Sequence, residues 1–195
     1  MKRIGILFCL ILQISCNQMQ TPKKEVQQNG TTQKDIYFAL SLVFKTLQQT
    51  EQLEGNQTPY LVNRLEMPVF VEENASLKAK IVSLFSGDSL HIDGQCKQWN
   101  QFVLSQKEIK FKRLIPADEL DKMHDSKAAD RTTQFLKNYQ KKYGNKLFYR
   151  ISMPIYSPDK NTFYIDLNTL GSGQSFVFQK KNGKWTKRVI SIWVS

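Results

Sequence analysis

Cysteine is scarce in this chain: 195 residues carry three, at Cys9, Cys16 and Cys96. A disulfide framework is thereby excluded as the main source of stability, because such scaffolds pair many cysteines in a short chain. Histidine is scarcer still, with His91 and His124 alone, so a zinc centre built on several imidazoles has no ligands to draw on. Acid is in deficit, 17 Asp plus Glu against 28 Lys plus Arg, for a formal net charge of +11. No apolar run reaches the roughly 20 residues needed to cross a bilayer as a helix. A Gly-x-Ser-x-Gly nucleophile elbow is missing, and so is a glycine-rich loop followed by Lys-Ser or Lys-Thr. What remains is ordinary in bulk: 41% hydrophobic and 23% charged residues, the usage of a folding globular chain long enough for one core.

The basic excess is spread over three groups: Lys107, Lys110, Lys112 and Arg113; Lys137, Lys141, Lys142 and Lys146; and Lys180, Lys181, Lys184, Lys187 and Arg188. None is an unbroken run. This distribution suits a solvated face beside an anionic membrane surface better than a nucleic-acid groove.

The amino end carries the most specific signal. Lys2 and Arg3 precede an apolar run from Ile4 to Leu12, and Ser15-Cys16 follows. That is the layout of an export leader, too short to span. The region resembles a bacterial lipobox, with Gln13 where Leu is usual and Leu12 one place earlier. The resemblance implies a signal peptide over 1–15, removal at Cys16 and lipidation of that cysteine. The chain is then expected to be an exported lipoprotein held on a bacterial cell-envelope membrane. The alternative is a plain leader cut nearby, leaving a secreted or periplasmic soluble protein with Cys16 incidental. Lipid on Cys16 leaves Cys96 alone and expected to be buried; without lipid, a Cys16 to Cys96 bridge is open.

Residues 16–33 are rich in Gln, Thr, Lys and Asn, too polar to offset the entropy of ordering, and read as a tether. A single α+β domain is expected over 34–195. Ile36, Leu40, Val43, Phe44 and Leu47 fall at helical spacing behind a Thr32/Asp35 capping box, predicting a helix to about Leu53. Tyr60 to Glu72, with Pro68 inside, reads as an edge or bulged strand. Leu77, Ile81, Leu84 and Phe85 predict a helix, and Asp88 the cap of another reaching towards Trp99. Val103 to Ile115 reads as a half-exposed strand, and Ala128 to Tyr143 as a helix ended by Gly144.

The last fifty or so residues form four extended runs, Lys146 to Tyr156, Thr162 to Leu170, Gln174 to Lys181 and Lys184 to Val194, joined by turn chemistry that ends in Asn182-Gly183. The expected fold is a four-stranded antiparallel meander with about three helices on one face. The Asn-Gly-Lys-Trp hairpin also ends many cone-shaped domains of the nuclear-transport-factor-like kind.

This stretch resembles a family of uncharacterised exported bacterial lipoproteins. The likeness is carried by Phe135 to Tyr143, Ile151-Ser152-Met153-Pro154, Ser157-Pro158-Asp159-Lys160, Gly171-Ser172-Gly173, Lys180-Lys181-Asn182-Gly183-Lys184-Trp185 and Trp193-Val194-Ser195, within a span that covers roughly a third of the chain. A cysteine pair common near the glycine turn in that pattern is absent here. The resemblance implies a fold boundary and no assigned activity.

Candidate chemistry is thin. Gly171-Ser172-Gly173 reads as a turn. His91 with Asp88 and Asp93 has the residue types of a partial metal site, but a surface histidine near a cap explains it more simply. His124-Asp125-Ser126 has the composition of a hydrolase triad without its geometry. Asp118, Glu119 and Asp121 could supply paired carboxylates, although an acidic first turn after Pro116 accounts for them. Phe178, Lys180, Lys181, Trp185, Lys187 and Arg188 interleave rings and charge as a stacking platform would, and so do core aromatics beside solvated lysines. Asn29, Asn56 and Asn74 open formal glycosylation sequons. No catalytic residue, cofactor or metal is expected. The reading is a lipid-anchored binding domain for a protein, glycan or small ligand; the alternative is a small α+β enzyme with a nuclear-transport-factor-like pocket.

Overall fold

The computed structural model describes residues 31–54, 60–72, 75–97, 102–124 and 130–194. The expected leader, Cys16, residues 16–30 of the tether, the three sequon asparagines, Trp99, Asp125 and Ser126 lie outside them. Among the described residues no helix is long and apolar enough to cross a membrane.

The architecture is α+β, with helices over a mixed seven-stranded sheet. Helix α1 (Gln33–Glu54) starts where the capping box predicts. The Thr32 amide donates to Asp35 Oδ2 at 2.9 Å, and the Asp35 amide returns a bond to Thr32 Oγ1 at 3.3 Å. Its stripe of Ile36, Leu40, Val43 and Phe44 is buried. Strand β1 (Tyr60–Val62) follows, then α2 (Val69–Glu72), α3 (Ala75–Leu84) and α4 (Ser89–Cys96). Asp88 caps α4, accepting from the His91 amide. Next come β2 (Arg113–Ile115), α5 (Ala117–Asp121) and α6 (Arg131–Tyr143), the last capped by Asp130 and closed by Gly144 at positive φ. The chain ends in β3 (Phe148–Ile151), β4 (Ile155–Tyr156), β5 (Thr162–Thr169), β6 (Ser172–Lys181) and β7 (Lys184–Val194). The β6 to β7 turn places Asn182 and Gly183 both at positive φ, as its sequence requires.

The sheet runs β2-β1-β3-β5-β6-β7, with β4 also on β5. β1 lies parallel to both β2 and β3, and the other pairings are antiparallel. The predicted run Lys146 to Tyr156 is two strands lying end to end along β5, interrupted at Ser152-Met153-Pro154, where Ser152 N still donates to the Asp166 carbonyl of β5 but Met153 N turns to the carbonyl of Glu66.

Two expected strands are shorter than predicted. Past Val62 the chain turns, and the residues after Pro68 wind into α2, with Asp166 Oδ2 accepting the Val69 amide at 2.9 Å. In the second, only Arg113–Ile115 is strand, because the Gln106 side chain ties the preceding loop to itself. Its amide donates to the carbonyls of Ile109 and Lys112 at 2.6 and 3.1 Å, and its oxygen accepts from Leu114 N at 2.8 Å.

Helices cover both faces of the sheet instead of one. Successive strand residues point to opposite sides: Tyr149 meets Phe44 of α1, while Phe148 meets Phe135 and Tyr139 of α6. Two apolar clusters result. The larger is built on α1, α3, α4 and β5 to β6, and the smaller on Val62, Ile115, Leu120, Phe135, Tyr139 and Phe148.

Candidate binding cleft

β5 is buried along most of its length, including Asp166 at 0% exposure. Polar groups in a strand buried on both faces need partners, and Asp166 has them. Tyr164 and Ser175 donate to its Oδ1 and the Val69 amide to its Oδ2, while Ser152 Oγ accepts the Asp166 amide. Burial pushes this carboxyl above the ordinary carboxylate range, and the Ser175, Tyr164 and Val69 donors pull back against it. Having no exposed surface, it is a structural centre.

One residue pair further along, the same face opens. A cleft of about 400 Å³ lies between α5 and the segment that follows β1, a volume within the range of small-ligand sites, about 300–1,000 Å³. It stands beyond the carboxyl ends of the parallel strands β1 and β2, where chains diverging from neighbouring strands leave a crevice. Val62, Leu65, Met67, Val69, Ala117 and Leu120 give it apolar walls; Arg64, Glu66, Asp121, Arg150 and Asn168 give it polar ones.

The polar groups hold one another. Arg150 Nη1 donates to Glu66 Oε1 at 3.1 Å, and Asn168 Nδ2 to Glu66 Oε2 at 3.1 Å, so both carboxylate oxygens are engaged. Arg64 Nη2 donates to Asp121 Oδ2 at 2.6 Å. The side chains of Arg150 and Glu66 keep 34% and 30% of their exposure, enough to be reached from the cleft.

Asn168 Oδ1 is different. Among the described residues it is a buried side-chain acceptor without a hydrogen-bond partner. It lies beside Gly173, whose missing side chain makes room for the indole of Trp193: a β-carbon there would collide with Cζ2 and Cε2 of that ring and with Asn168 Oδ1 itself. The register explains the meeting. Arg150 pairs with Asn168, Asn168 with Gly173 and Gly173 with Trp193, one row across four strands on a single face.

Of the residues singled out by sequence, Asp121 alone reaches this cleft. Asp118 pairs with Lys122 at 3.5 Å and Glu119 with Lys142 at 2.6 Å and with Tyr143, so the three carboxylates are dispersed. Asp88 caps α4, Asp93 bonds to Lys78 at 2.9 Å, and His91 Nε2 lies 3.0 Å from the Tyr156 carbonyl. Among the described residues no three His, Cys, Asp or Glu side chains converge as metal ligands. His124 stacks on Phe135. Cys96 is buried, its thiol pushed up to about 12 by desolvation and by the neighbouring Asp93 charge. Trp185 packs against Phe38 and Phe163.

Arg64, Glu66, Arg150 and Asn168 escaped the sequence reading. A signal for one of them was present: from Phe163 to Asn168 the polar Tyr164, Asp166 and Asn168 alternate with the apolar Phe163, Ile165 and Leu167. No family model, curated protein or solved structure matches the chain.

Proposed function

We propose that this chain is an exported bacterial lipoprotein of the uncharacterised kind its carboxyl end resembles, anchored in the cell envelope by lipid on Cys16 and serving as a non-catalytic binding domain. In this reading the signal peptide covers 1–15, the tether 16–33 and the binding domain 34–195. The carboxyl-terminal strands act as a four-stranded meander in the manner of a nuclear-transport-factor-like cone, with the cleft beside it taking the ligand.

The observation that carries the binding reading is the Arg150, Glu66 and Asn168 array, held in place by its own hydrogen bonds yet still partly exposed in a cleft of about 400 Å³. Recognition needs donors and acceptors fixed before the ligand arrives. Catalysis needs more: a group poised to attack or to move a proton at the ligand. Asp166, the buried acid nearby, is sealed at 0% exposure and engaged by Tyr164, Ser175 and Val69, which favours binding over the enzyme alternative. Nucleic acid is disfavoured, since the cleft pairs each arginine with a carboxylate instead of presenting a bare basic groove.

Metabolic labelling with a palmitate analogue tests the anchor. Wild type is expected to carry the label and Cys16→Ala to lose it; equal labelling of the two overturns the assignment.

A further inference from the structure

The cleft ends on a sheet face that continues past it. Its Arg150 and Asn168 belong to the cross-strand row that ends at Trp193. With neighbouring strands about 4.8 Å apart, that row spans roughly 14 Å of sheet surface. The first half is polar. The second half has no side chain at Gly173 and is covered by a part-exposed indole.

Charge limits what fits. Arg64 is matched by Asp121 at 2.6 Å and Arg150 by Glu66 at 3.1 Å, so the cleft is close to neutral and offers an ionic ligand no uncompensated charge. A ligand that both donates and accepts needs none. It can donate to the free lone pairs of Glu66 and Asp121 and accept from guanidinium N–H groups, of which each arginine has five while the ion pair uses one. Asn168 lines the same cleft and gives one of its two amide hydrogens to Glu66 Oε2, which leaves the other for a ligand oxygen. Vicinal hydroxyls on a ring supply such alternating donors and acceptors, and the ring's C–H face stacks on an aromatic surface.

We infer that the cleft and Trp193 together form a subsite for a neutral carbohydrate, one pyranose unit hydrogen-bonding to Arg150, Glu66 and Asn168 and the next lying on the indole. This rests on the cleft being the ligand site of the proposed function, and it names the ligand class.

The test is calorimetric titration of the full-length chain in detergent with linear tetrasaccharides of glucose, mannose, galactose and N-acetylglucosamine. A galacturonate tetramer and a panel of tripeptides serve as ionic and non-sugar probes. At least one neutral tetrasaccharide is expected to bind, with Asn168→Ala and Trp193→Ala each weakening it at least tenfold. Trp193→Phe, which keeps a ring, recovers part of the loss, and Ile192→Ala, 65% exposed one residue away, leaves binding unchanged. Circular dichroism confirms that each variant is folded. No heat from any neutral sugar, or sugar binding indifferent to both alanine variants, overturns the inference. If galacturonate or a tripeptide binds instead and Asn168→Ala abolishes it, the carbohydrate class falls while the cleft stands as the ligand site. If Asn168→Ala changes the binding of no probe, both fall.

Discussion

The indole of Trp193 stands where a side chain on Gly173 would have to go. The ring and Asn168 Oδ1 both crowd that position, so the closing strand reads the absence of a β-carbon on its neighbour. Gly173→Ala forces the indole off the sheet, at a cost of about 1–3 kcal/mol for overpacking. A lower urea midpoint and increased acrylamide quenching of tryptophan emission are expected together; unchanged quenching would mean that the ring never covered the glycine.

Asp166 is a second position where one atom type matters. Replacing it by Asn turns one oxygen into an N–H group that faces either the Val69 amide or the Tyr164 and Ser175 hydroxyls. The hydroxyls can accept only by turning from their present bonds and the Val69 amide cannot accept at all, so a loss of about 1–3 kcal/mol is expected, read from equilibrium unfolding in urea. A midpoint within error of wild type contradicts this account.

Two carboxylates make stability depend on pH with opposite signs. Burial raises Asp166, so the unfolded chain releases this proton first, and the group's contribution falls as pH climbs from the ordinary value of 3.8 through the folded value. For Asp35, partial burial pushes upward but is outweighed by bonds from Lys160, at 2.7 Å, and Thr32, leaving it below 3.8. Its contribution is present above 3.8 and is lost as pH falls through the folded value. Across pH 2.5 to 7, on the order of the carboxylate range, the stability gap between wild type and Asp35→Asn is expected to widen with pH, and that for Asp166→Asn to narrow.

Gln95 does the work of a missing strand neighbour. Its side chain donates to the Tyr156 carbonyl at 2.8 Å and accepts the Tyr156 amide at 2.9 Å, closing the outer edge of β4 from helix α4. Gln95→Leu keeps the volume and strands the Tyr156 amide, for an expected loss of about 1–3 kcal/mol. Hydrogen exchange at Tyr156 is the direct readout, and protection equal to wild type refutes the role.

Cys96 is expected to be inert. Its thiol is buried and pushed up to about 12, so little thiolate exists near pH 8. Iodoacetamide followed by peptide mapping will find Cys96 alkylated in denaturant and spared in the native protein; rapid native labelling contradicts the burial.

Local chemistry is what the sequence determined by itself. Thr32 and Asp35 start α1, Asp88 starts α4, Gly144 ends α6 and Asn182-Gly183 turns the last hairpin, because each depends on a few adjacent residues and on backbone angles that few residue types adopt. Tertiary structure decided the rest. Strands β1 and β2 lie inside runs that read as strand, but their three-residue length and their parallel pairing, with β1 parallel to β3 as well, leave no trace in the pattern. The cleft was hidden for the same reason: Glu66 bonds to Asn168 across 102 positions, and no periodicity records a contact that only the closed sheet brings together. Trp193 becomes a candidate surface because of the glycine opposite it, a relationship set by strand register.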